Sequence, residues 1–164
     1  MRSRSIAIAV FFSLLALGEV YGHNQVKTAD DYLDQAELII KDENYRPLLE
    51  NKKGEKDKFL QLVNQSLKLE ESARAYLYYG FIRHMAFDSD SYKDSVQYYE
   101  KAIELKPKYI RALIALSSTH LNGNNYKECI NSANQVLKID QNNESAQELR
   151  KNCKSSLKQR NLNE

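Results

Sequence analysis

Turn-forming residues are scarce in this chain, with five glycines and two prolines among 164 residues. That scarcity excludes an all-β fold built on many tight turns, and equally a low-complexity linker. Charge of one sign is lacking as well. Lysine and arginine number 24 against 22 aspartates and glutamates, a formal net charge of +2, so there is no electrostatic footprint for nucleic acid or an anionic surface. Two cysteines are too few for a disulfide-dense scaffold, and their spacing fits no zinc pattern. Charged residues still make up 28%, which together with so little glycine and proline points to an ordered, helical chain.

Long apolar runs are also missing, save one. Ile6 to Leu17 is interrupted only by Ser13 and is preceded by Arg2 and Arg4. Such a run is short for a membrane span and has the length of a signal-peptide core. Small-x-small sites follow at Ala16-Leu-Gly18 and Val20-Tyr-Gly22. Residues 1–22 are therefore expected to be a signal peptide, cleaved after Gly22 or, failing that, Gly18. The protein is then exported, periplasmic or secreted, with no membrane span after cleavage. An uncleaved anchor tethering the chain to a membrane is the alternative.

Catalytic groupings are thin. His23, His84 and His120 are scattered, and none pairs with a cysteine or carboxylate at ligand or catalytic spacing on one helix. No glycine-rich phosphate loop and no nucleophile elbow occurs. No enzyme activity, catalytic residue, cofactor or metal is expected.

What the chain does have is a repeat. Residues 92–109 read YKDSVQYYEKAIELKPKY and residues 126–143 read YKECINSANQVLKIDQNN, with Tyr92 and Tyr126 standing 34 residues apart. At that offset Ser95 aligns with Cys129, Val96 with Ile130, Ala102 with Val136, Ile103 with Leu137 and Leu105 with Ile139. These spacings lay the apolar residues along one helical stripe. A helix precedes each: 73–86 places Tyr76, Tyr79, Gly80 and Arg83 at i, i+3, i+4 and i+7, and 110–122 places Leu113, Leu116, Ser117 and His120 likewise. Asp88–Ser91 and Asn122–Asn125 read as the intervening turns, with Pro107 and Asp140–Asn143 closing the second helices.

The pattern resembles the tetratricopeptide repeat. Tyr76, Tyr79, Gly80, Tyr99, Ala102 and Pro107 match its motif in one copy. Leu113, Leu116, Ser117, Tyr126, Cys129, Ala133 and Val136 match it in the next, where Gln141 replaces the proline. The resemblance implies an all-α fold: antiparallel helix pairs stacked as a short right-handed superhelix. It covers two repeats, 73–109 and 110–143, the first with a three-residue insertion in its turn. Residues 144–158 read as a polar capping helix and 159–164 as a disordered tail. Upstream, 28–72 reads as a degenerate pair. One helix opens at Thr28 with Tyr32, Leu33, Ala36, Ile39 and Ile40 as its stripe. A second carries Phe59, Leu62, Val63 and Leu67, and the two are joined by an irregular connection over 44–58.

The resemblance implies binding of another protein, as a peptide or helix, on the concave face of the first helices. In this chain that face would carry Arg74, Leu77, Phe81, His84, Arg111, Ile114, Ser118 and Leu121. Leu77 and Phe81 stand where the carboxylate-clamp subset of the family needs lysine and asparagine, so a chaperone-tail ligand is not expected. The arginines would orient an acidic group beside an apolar groove. Family packing also sets Cys129 opposite Cys153, implying a disulfide, or two buried thiols if reduced. Self-association through the same groove, or a small ligand or glycan held by the tyrosine cluster 76, 78, 79, 98 and 99, are the alternatives.

Overall fold

The computed structural model describes residues 27–40, 54–85 and 89–163. The expected signal peptide, 1–22, lies outside them. Among the described residues there are seven helices and no strands: α1 (Ala29–Ile40), α2 (Glu55–Leu69), α3 (Ala73–His84), α4 (Ser89–Leu105), α5 (Ile110–Asn122), α6 (Tyr126–Ile139) and α7 (Glu144–Asn163).

Side-chain caps set three of the seven helix starts among the described residues. Thr28 and Asp31 form a reciprocal cap: the Asp31 backbone N–H donates to Thr28 Oγ1 at 3.1 Å, and the Thr28 N–H to Asp31 Oδ2 at 2.7 Å. Ser72 Oγ accepts from the Ala75 N–H at 3.2 Å and opens α3. Asn143 Oδ1 does the same for Ala146 at 3.1 Å and opens α7. The turn after α5 relies on Asn124, which takes φ 59°, a left-handed conformation that asparagine tolerates.

Three boundaries differ from the sequence reading. The connection assigned to 44–58 ends earlier, because α2 begins at Glu55. Gly54 at φ 70° supplies the turn, and Glu55 and Asp57 favour a helix N-terminus. The turn assigned to Asp88–Ser91 is already helical from Ser89. The tail is not disordered over its described part, since α7 continues to Asn163. Arg160 anchors that last stretch, its guanidinium 5.0 Å above the Tyr126 ring and its Nη1 donating to the Asn124 carbonyl at 3.2 Å.

Short connections make α3/α4 and α5/α6 antiparallel hairpins, with α5 packed on α4 and α7 on α6. Small residues permit the close approach within each hairpin. Gly80 faces the buried Tyr99 ring so closely that a Cβ there would lie 2.5 Å from it. Ser95, Ala102, Ser117, Cys129 and Ala133 are fully buried. One core runs from Leu33 and Ala36 on α1, through Phe59 and Val63 on α2, to Tyr78, Tyr99 and Leu116. A smaller one, Leu113, Val136 and Ala146, joins α5, α6 and α7.

Candidate functional site

A half-open cavity of about 350 Å³ lies where α1, α3 and α5 converge, floored by Tyr99 of α4. For scale, an engineered cavity of about 150 Å³ holds benzene. Six of the eight groove residues named from the sequence line it: Leu77, Phe81 and His84 from α3, and Arg111, Ile114 and Ser118 from α5. Ile40, Tyr78, Tyr99 and Ala115 complete the wall. Helical spacing explains the clustering, because residues three, four and seven apart share a face.

Two expected residues are elsewhere. Arg74 is drawn onto α1, where Nη2 donates to Asp34 Oδ1 at 2.6 Å and to the Asp30 carbonyl at 3.0 Å, and Nη1 lies 4.0 Å from Glu37. Its charge is already answered within the chain. Leu121 is not among the lining residues. His84, which is, has Nδ1 2.6 Å from Thr119 Oγ1 and Nε2 3.1 Å from Asn122 Nδ2. Leu77 lines the cavity but is only 6% exposed and belongs to the core, so it forms floor rather than rim. Arg111 remains 56% exposed, with Glu37 at 3.9 Å.

The acidic partner of the arginine edge is therefore intramolecular. Asp30, Asp34 and Glu37 fall at i, i+4 and i+7 on α1 and face the two arginines, which occupy equivalent places on α3 and α5. Glu37 also accepts from the Tyr78 hydroxyl at 2.9 Å. Burial first, then that bond to a carboxylate, push the Tyr78 phenol well above its usual range. An acidic stripe of this spacing was visible in the sequence, but nothing there said which face it would meet.

Burial depresses the His84 imidazole below its ordinary pKa, so it sits neutral beside the cavity. His120 is likewise buried and depressed by burial, with Glu128 and Glu100 acting against the shift. Its Nδ1 lies 3.0 Å from the Tyr92 hydroxyl, which itself accepts from Asn125 Nδ2 at 2.6 Å.

The tyrosine cluster has a packing role. Tyr78 and Tyr99 are each 1% exposed. Tyr98 stacks on Tyr76 and on Tyr79, with ring centroids at 6.4 and 5.2 Å, so the ring faces a sugar would need are turned onto one another. Cys129 and Cys153 meet between α6 and α7 as a disulfide, Cα–Cα 6.2 Å, both fully buried. Among the described residues no group of His, Cys, Asp or Glu could hold a metal ion, and no helix is long and apolar enough to cross a membrane.

A family model described as tetratricopeptide repeat matches residues 86–153, from the start of α4 into α7. Over those residues the chain is similar to the tetratricopeptide-repeat family. A search of curated proteins finds no match. Tetratricopeptide repeats generally mediate protein–protein interaction and are typically non-catalytic modules. The matched stretch supplies one wall of the cavity, from α5, and its floor, from α4. The other walls, α3 and α1, lie before it.

Proposed function

We propose that this protein is an exported interaction module that seats a segment of a partner protein on the α3/α5 face. The observation that carries the reading is the apolar cavity itself. Phe81, Ile114 and Ala115 stay partly exposed around it, although repeat packing already buries the opposite faces of their helices. Apolar side chains kept accessible in a concave site are what an apolar anchor requires. Export is supported by the charged start and apolar run of residues 2–17 and by two cysteines brought within bonding distance.

Calorimetric titration with a partner recovered by cross-linking in the native compartment tests the reading. Phe81→Ala should weaken binding by about 1–3 kcal/mol, the usual cost of losing an aromatic anchor, with little change in helicity. Unaltered affinity in folded Phe81→Ala protein would remove the cavity from the interface.

A further inference from the structure

We infer that the partner segment is an amphipathic helix with a carboxylate one turn from its apolar anchors, rather than an extended peptide. This rests on the reading of the cavity as a binding site. An extended segment brings unpaired amide N–H and C=O groups, which need donors and acceptors along the groove. The wall offers few. Its described side chains are apolar except for Arg111, His84 and Ser118, together with the Tyr78 and Tyr99 hydroxyls. Tyr78 is engaged with Glu37, and Tyr99 is only 1% exposed. The nearest carboxamide, Asn122, is bonded to His84. A helix satisfies its own backbone and asks only for apolar burial.

The chain already binds one helix this way. On α1, Glu37 and Ile40 stand three residues apart on one face: Glu37 reaches Arg74 and Arg111, while Ile40 forms part of the cavity wall. Arg74 is consumed by that contact, but Arg111 is not. Its side chain is more than half exposed, its carboxylate neighbour is 3.9 Å away, and its planar fork can take a second carboxylate. A helix lying beside α1 would set its own Glu-x-x-Leu on Arg111 and the open cavity.

The test is fluorescence anisotropy of the full chain with three synthetic probes of about fifteen residues, stapled where helical because free helices of that length are marginal. The first is an alanine-based helix with leucines at i and i+4 and a glutamate at i−3. The second has the same composition but carries central prolines in place of the staple. The third replaces the glutamate with lysine. The first should bind about tenfold or more tightly than either other probe, and Arg111→Glu should reverse its advantage over the lysine probe. Equal or tighter binding of the proline probe overturns the helix and leaves the cavity reading standing. Failure of the helical probe to bind, or indifference to the glutamate and to Arg111→Glu, also overturns the inference. Binding of every probe untouched by both Phe81→Ala and Ile114→Ala, each checked for fold by circular dichroism, removes the cavity reading itself.

Discussion

Gly80 and Tyr99 show most directly how residue choice becomes packing. Without a Cβ at residue 80, the Tyr99 ring fills the space between α3 and α4, and the ring is too enclosed to move aside. Gly80→Ala gains helix propensity but forces the ring or the helices apart. Overpacking should win, lowering stability by about 1–3 kcal/mol in a denaturant melt. The sequence showed the ingredients of this contact, since Gly80 and Tyr99 stand at the small and aromatic positions of the repeat motif, although Ser117 and Ala133 take those places in the next copy. The partners of the histidines were not legible there, since they depend on how α5 docks. The two histidines tie the last turn of α5 to its neighbours: His84 of α3 bonds Thr119 and Asn122, and His120, on that turn itself, bonds Tyr92 of α4. Both have pKa values lowered by burial. The native state therefore prefers the neutral ring. Stability is fully present above the unfolded value near 6.5 and declines as pH falls from there through the depressed native values. The melting temperature should drop between pH 7.5 and 5.5, above the range in which most carboxylates titrate. His120→Asn and His84→Asn should flatten that slope; an unchanged slope in the double variant would assign it to other groups.

At the scale of elements, the two ends of the array are held by different chemistry. Besides burying Leu33 and Ala36 in the core, α1 has an ionic seam: Arg74 and Arg111 against Asp30, Asp34 and Glu37, with Asp30 and Asp34 mostly exposed at 82% and 67%. Exposed pairs are worth little singly and are screened by salt. Arg74 is nonetheless shared among three carboxylates, so Arg74→Ala should free the N-terminal end of α1, and hydrogen exchange over residues 29–40 should accelerate over wild type most at low salt, where the intact pairs are least screened. The sequence reading put both arginines on the groove face; Arg111 lines the cavity, whereas Arg74 is turned onto α1. That reading assigned them to a partner because nothing in a linear pattern shows that α1 folds back across the groove. The α7 end is covalent. Its twenty residues bury only Ala146 and Cys153, so the cap gains little apolar burial and depends on its bond to Cys129. Closing a loop of 24 residues stabilises by roughly 3 kcal/mol in the chain-entropy account. Cys153→Ser should lower the melting temperature and expose α7 to proteolysis, while α3 and α4 stay protected.

For the whole molecule, the disulfide and the expected signal peptide bear on one question and should stand or fall together. Both cysteines are completely buried in the folded array, so the bond forms as the cap helix docks when the chain folds in an oxidising environment. In a reducing cytosol the same fold would hold two thiols, because the position of Cys129 between α5 and α6 calls only for a small residue, and Ser117 Oγ lies 3.4 Å from its sulfur. Reduced material is expected to fold, then, but to melt lower. Protein purified from its native host under thiol-trapping conditions should begin near His23 and carry no trapped cysteine. It should also resist mild reductant until denatured, since reductant cannot reach a buried bond without opening α7. Intact-mass measurement reads cleavage and oxidation in one spectrum. Soluble protein that retains Met1 with both thiols alkylated would end the export proposal, and the apolar run at residues 6–17 would then need another partner. Cleaved protein with free thiols would keep export and leave α7 held by the packing of Ala146 on Leu113 and Val136 and by the contacts of Arg160 with Tyr126 and Asn124.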